Sequence, residues 1–210
     1  MIGMIRAAIL AIPCLVLAFQ TGVYASTVTT TLVDSGKTLE IADQGVRGLI
    51  DHMKALRQSK EAEFDRGAAL RIKNRLAPYL APPGGPSGTQ ELLARHPIDR
   101  FLRAPSLDNW SAAKREVQAV LMSVMYLLQD VKKTRSDFVG DHVLQELARF
   151  FDGDDSVQSQ LALMVPPSTE AEMRAAKAVR EKYWTLRRDL TKAQVVLADY
   201  VQHLPQPSAP

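Results

Sequence analysis

Ala176, Tyr183, Leu190, Leu197 and Leu204 recur at a strict spacing of seven, with Val179, Leu186, Ala193 and Tyr200 at the second seam position. A repeat of seven returns to one face of an α-helix, whereas a half-buried strand needs a repeat of two. Thr169 and Glu172 stand where a capping box would open this helix. At 1.5 Å per residue it would run for about 50 Å. The same period appears twice upstream. Leu39, Val46 and Met53, interleaved with Ala42, Leu49 and Leu56, predict a long helix whose signals begin near Thr38. Phe64, Ala68, Ile72 and Leu76 extend it towards Pro78, either as one helix or as two with a bend near Lys60. Trp110, Val117, Val124 and Val131, interleaved with Ala113, Val120 and Leu127, predict another from Ser106 or Asp108 to about Thr134.

Shorter helices fill the gaps. Pro97 suits the first turn of one over Ile98 to Arg103. Asp141 can cap another that ends at Gly153, and Ser156 to Met164 allows one or two further turns. Thr89 to Arg95 allows one more, and Pro82 to Gly88 reads as a stiff loop. Ser26 to Ser35 is rich in Thr and Ser and reads as extended. Aromatic residues make up only 6% of the chain, which suits a Leu, Val, Ala and Met core between helices better than a β-sandwich. The expected fold is all-α: an antiparallel bundle of three or four long amphipathic helices with short connecting helices. Its facing seams should bury Val117, Val124, Leu186, Leu190 and Leu197.

The N-terminus has a different character. Met1 to Arg6 carries one base and no acid, and Ala7 to Phe19 is an unbroken apolar run. Val23 and Ala25 are small residues at the −3 and −1 positions of a peptidase site, with Ser26 following. This is the order of a secretory signal. The run is shorter than the roughly 20 residues that span a bilayer. The reading is a cleaved signal over 1–25, a single helical domain over 26–204 and a disordered proline-rich tail over 205–210. The mature chain is then exported, to a periplasm or beyond the cell, with no stable membrane anchor. Cys14, the one cysteine, lies inside the apolar run. Its removal leaves no disulfide, thiol nucleophile or thiolate ligand.

Net charge is only +3 and does not call for nucleic acid. Its distribution is uneven. Arg66 to Arg103 holds seven bases against Glu91 and Asp99, while Asp141 to Glu172 holds seven acids against Arg149. Two readings follow: segments that complement each other within the fold, or a surface for a partner. The candidate partner contacts are Arg71, Arg75, Arg100 and Arg103, on either side of the proline loop.

Catalytic and metal patterns are missing. His52, His96, His142 and His203 show no metal-ligand spacing, and His142 with Glu146 supplies two ligands at most. The acidic string at Asp152 fails the calcium-loop test, since Val157 and Leu163 stand where Gly and Glu are required. Met53 with His203 is a weak pairing for a non-covalent haem, because a Met at helical spacing is ordinarily packing. There is no Gly-x-Ser-x-Gly and no phosphate loop. No cofactor is expected. Leu190-Thr191-Lys192-Ala193-Gln194 resembles the Leu-Thr-x-x-Gln motif of small helical periplasmic chaperones of the Spy and CpxP type. That family carries the motif twice and this chain once, so no residue role is carried over.

The expected function is that of an exported, non-enzymatic helical protein that binds another protein. Chaperone, secretion accessory and immunity-type roles all fit. The alternative is a bundle that holds a small molecule or cofactor in its interior.

Overall fold

The computed structural model describes the backbone of residues 5–59, 66–76, 96–134 and 141–203, and the side chains of 27–57, 67, 69–74, 96–133 and 142–203. Among these residues the chain is all-helical, with seven helices and no strand. They are α1 (Ile5–Ser59), α2 (Arg66–Leu76), α3 (Pro97–Arg103), α4 (Leu107–Thr134), α5 (Asp141–Phe151), α6 (Val157–Leu163) and α7 (Glu170–His203). The helix expected over Thr89 to Arg95, the loop over Pro82 to Gly88 and the tail over 205–210 lie outside the described residues.

The first helix starts earlier than its sequence suggests. Residues Ser26 to Ser35, read as extended, belong to α1. Val28, Leu32, Ser35, Leu39, Ala42, Val46, Leu49, Met53 and Leu56 are all buried, which carries the seam unbroken to its first turns. The hydroxyls that argued for an extended segment are satisfied inside the helix. Ser35 Oγ donates to the Thr31 carbonyl at 2.8 Å, and Thr38 Oγ1 to the Asp34 carbonyl at 3.0 Å. Back-bonding of this kind lets Ser and Thr sit on a helix face that packs. At the other end α1 is described to Ser59 and α2 from Arg66, and the bend expected near Lys60 lies outside the described residues.

The remaining ends follow the expected chemistry. Pro97 sits in the first turn of α3. Ser106 Oγ accepts the Asn109 amide at the start of α4, and Ser156 Oγ accepts the Ser159 amide at the start of α6. Gly153 takes a left-handed φ of +85° just past α5, a conformation costly for any other residue. Thr169 Oγ1 accepts the Glu172 amide while the Glu172 carboxylate accepts the Thr169 amide, completing the capping box of α7.

The three long helices run parallel, not antiparallel. Lys182 meets Glu40 at 2.9 Å, Arg47 meets Asp189 at 2.8 Å, and Arg57 pairs with Asp199, so both sequences climb together along the α1–α7 interface. That interface is the most extensive in the fold. Leu32 and Ser35 share a cavity wall with Trp110 to Val117, and Gly45 lies against Leu128, so α1 and α4 also climb together. The return arms are the broken segments. Val143 lies beside Gly45 and Gln160 beside Thr31, so the chain descends through α5 and α6. It must descend between Ser59 and Pro97 as well, and α2, packed on α4 and α7, lies on that path. The core is one cluster that includes Val117, Val124, Leu186, Leu190 and Leu197 as expected, with Phe101 and Phe150 fully buried in it.

Candidate functional site

Arg71, Arg100 and Arg103 are exposed, the first on α2 and the others on α3. Among the described residues none of them has a carboxylate partner. The side chain of Arg75 lies outside the described residues, and nothing joins Arg71 directly to the α3 pair. Part of the acidic block is engaged locally instead. Glu146 pairs with Arg149, Glu170 pairs with Arg174 at 3.0 Å, and Glu172 caps α7. Asp152, Asp154 and Asp155 are exposed in the loop before α6. No described ion pair joins the two charge blocks.

The polar residues that the fold does bring together were not singled out in the sequence. The first group lies on the α1–α7 seam. Asp43 and Asp189 are only 6% and 3% exposed. Arg47 bridges them, reaching Asp43 Oδ2 at 2.7 Å and Asp189 Oδ2 at 2.8 Å, and Lys192 holds Asp189 Oδ1 at 2.7 Å. Asp43 Oδ1 has no donor. Burial pushes the Asp43 carboxyl above its ordinary range, the nearby Asp189 charge adds to this, and Arg47 offsets only part. Burial acts on Asp189 in the same sense, but hydrogen bonds from Lys192 and Arg47 outweigh it and hold Asp189 below the usual range. Two facing carboxyls with affinities driven apart can share one proton. A shallow groove of about 260 Å³, lined by Asp43 and Arg47 with Glu40, Gln44, Glu181, Lys182 and Thr185, opens on the Asp43 side of the pair.

The second group joins α3, α4 and α7. The hydroxyl of Tyr183, a seam residue, lies 3.1 Å from His96 Nε2 and donates to Glu116 Oε2 at 3.3 Å. The hydrogen bond with His96 holds the Glu116 carboxyl low against the opposing effect of burial. Asp99, also buried, accepts from Arg180 Nε at 2.6 Å and from Trp184 Nε1 at 2.9 Å. The imidazole of His96 packs against the Tyr183 and Trp184 rings. These groups pair across three helices, which fixes the seat of α3, and His96 Nδ1 alone among them is buried without a partner.

Among the described residues no three His, Cys, Asp or Glu side chains cluster to hold a metal ion. His142 Nδ1 stands 3.9 Å from Glu146 on an exposed face. Met53 is core, while His203 is exposed and its Nδ1 lies 2.7 Å from the Asp199 carbonyl. The apolar cavity between Leu32, Phe101, Trp110 and Val179 holds about 20 Å³, room for one water molecule. In the Leu-Thr-x-x-Gln string, Leu190, Ala193 and Gln194 are buried, Lys192 is spent on Asp189, and Thr191 Oγ1 donates to the Arg187 carbonyl. Among the described residues no helix is long and apolar enough to cross a membrane. Comparison with family models, curated proteins and solved structures gives no match to this chain.

Proposed function

We propose that the chain is exported and that its mature part, with its helical domain over 26–204, works as a non-enzymatic helical protein that binds another protein through charge. The observation that carries this reading is that Arg71, Arg100 and Arg103 are exposed and, among the described residues, have no carboxylate partner from the acidic block or elsewhere. An arginine with no internal partner is available to an acidic surface, and contacts of this kind act mainly on association rate. The alternative, a ligand held in the interior, would need more room than the cavity beside Trp110, which fits one water molecule.

The test replaces Arg71, Arg75, Arg100 and Arg103 with glutamine in one variant. Partners are then captured from the native compartment, and thermal stability is measured in parallel. The reading requires that partners are lost while the melting temperature stays unchanged. A lowered melting temperature with every partner retained would return these charges to a packing role.

A further inference from the structure

Around α3 the fold sorts charge in a way that net charge hides. Asp99 and Arg100 are neighbours in sequence, and so are Arg115 and Glu116 on α4. Successive residues of a helix point about 100° apart, so each such pair can be split between inside and outside. Asp99 is only 4% exposed and is spent on Arg180 and Trp184. Glu116 turns to Tyr183 and His96. Arg100, Arg103 and Arg115 are exposed, and so is Lys177 on α7. Among the described residues none of these four bases has a carboxylate partner.

The four bases follow α3 from end to end. This helix packs on both α4 and α7 and runs against α7: the His96 ring meets Trp184 at 4.8 Å, and Asp99 meets Arg180 at 2.6 Å. Leu102 and Ala176 line one cavity, which brings the residues after them, Arg103 and Lys177, to the same level. Arg115 stands at the other end, beside Glu116, whose carboxylate lies 3.7 Å from His96 Nε2. Arg100 lies between. At 1.5 Å per residue the arc covers about 10 Å. The exposed acids around it are Asp108, in the first turn of α4, and Glu181, which lines the groove against α1. Glu170, two turns before Lys177, is paired with Arg174. Asp152, Asp154 and Asp155 precede α6, which meets α4 through Lys114, about 200° around that helix from Glu116. The arc therefore keeps a surplus of positive charge, bounded by an acid on either side.

We infer that Arg100, Arg103, Arg115 and Lys177 form the surface on which a partner protein lays an acidic helix. The inference rests on the reading that the chain binds a protein through charge, and it narrows that reading: Arg71 and Arg75 on α2 stand outside the contact. Carboxylates at positions i, i+4 and i+7 of a helix share one face over about 10 Å, the length of the arc. Asp108 and Glu181 confine the positive surface to that length, which suits a short acidic face and disfavours a long polyanion such as DNA. The seat is also stiff. The buried contacts of Asp99 and His96 hold α3 in place before any partner arrives, so less order has to be gained on binding.

The probe is a fluorescein-labelled helical peptide with glutamates at i, i+4 and i+7 on an alanine background, set against the same peptide carrying glutamines. Fluorescence anisotropy at low salt follows both with the protein as recovered from the producing cell. Two variants are compared: Arg100→Gln, Arg103→Gln, Arg115→Gln and Lys177→Gln together, and Arg71→Gln with Arg75→Gln. The glutamate peptide should bind and the glutamine peptide should not. The fourfold variant should weaken binding at least about tenfold, each exposed ion pair being worth a factor of roughly two, at an unchanged melting temperature. The α2 variant should bind as the unaltered protein does. A folded fourfold variant that keeps its affinity would overturn the inference. An equal loss in the α2 variant would overturn it too, while leaving binding through charge intact. Duplex DNA bound as tightly as the peptide, and released by the same four substitutions, would show a general polyanion surface in its place. Failure of the glutamate peptide to bind would remove the acidic helix as the occupant, and capture of native partners then decides the broader reading separately.

Discussion

Asp43 shows how one residue on a seam can set a pH dependence. Its carboxyl is held above the ordinary range, so the folded chain binds its proton more tightly than the unfolded chain does. The resulting stabilisation is complete below the unfolded carboxyl value and is lost as pH rises through the raised folded value. Asp189 has the opposite sign: its contribution is present above the unfolded value and is lost as pH falls through the lowered one. Asp43→Asn keeps the size of the side chain and removes the titration. It should raise the melting temperature at pH 7, and the gain should shrink as the solution is acidified and wild-type Asp43 takes up its proton, which it does at a higher pH than an ordinary carboxyl. A variant less stable than wild type at pH 7 would mean that the Arg47 contact outweighs burial. The sequence could not reveal this pair. Asp43 and Asp189 stand beside seam residues Ala42 and Leu190, but nothing in either helix says that the other lies opposite. Tyr183 was legible as a seam residue, yet its hydroxyl contacts depend on where α3 is seated.

At the scale of the element, α1 was half legible. Its seam from Leu39 to Leu56 follows directly from apolar spacing, whereas Val28, Leu32 and Ser35 continue the alternation of four and three behind a screen of Thr and Ser. The signal was present, and the hydroxyl-rich composition masked it. Two glycines in this helix have opposite meanings. A Cβ on Gly45 would lie 2.6 Å from Leu128 Cδ1 and 3.1 Å from Val143 Cγ1, and Leu128 is fully buried. A Cβ on Gly48 would meet nothing within 4 Å. Gly48→Ala should therefore stabilise the protein by about 1 kcal/mol through helix propensity alone. Gly45→Ala gains the same propensity but must displace a packed leucine, an overpacking cost of about 1–3 kcal/mol. It should be neutral to destabilising by up to about 2 kcal/mol. Urea unfolding of the two single variants checks the contrast, and equal stabilisation by both would show that α1 and α4 are free to move apart at this level.

For the molecule as a whole, the helical class was legible and the direction of the helices was not. A heptad repeat has the same spacing read from either end. The lengths of the connections did carry a signal. Antiparallel neighbours are usually joined by about 2–8 residues, whereas here whole helices intervene between Ser59 and Leu107 and between Thr134 and Glu170. The N-terminus makes the remaining prediction. If the small residues Val23 and Ala25 direct cleavage, N-terminal sequencing of protein from the producing cell should begin at Ser26, two residues before the first core side chain, Val28. A recovered chain that still starts at Met1 would leave the apolar run attached to α1.

Parallel packing also aligns the peptide dipoles of the long helices. Every backbone N–H in α1, α4 and α7 points towards one end of the molecule and every carbonyl towards the other, so partial charges of the same sign accumulate at each end. Side-by-side dipoles of this kind repel. The terminal side chains oppose that repulsion: Asp108 lies in the first turn of α4, and Glu170 and Glu172 in the first turn of α7. Arg57, Lys132 with Lys133, and His203 occupy the last turns of α1, α4 and α7. Each such charge contributes roughly 0.3–1 kcal/mol at low salt. The first turn of α1, at Ile5, lies far upstream of the core side chains Val28 and Leu32. At the amino end of the bundle it is therefore the acids of α4 and α7 that meet the aligned dipoles, and salt should weaken this compensation at both ends alike.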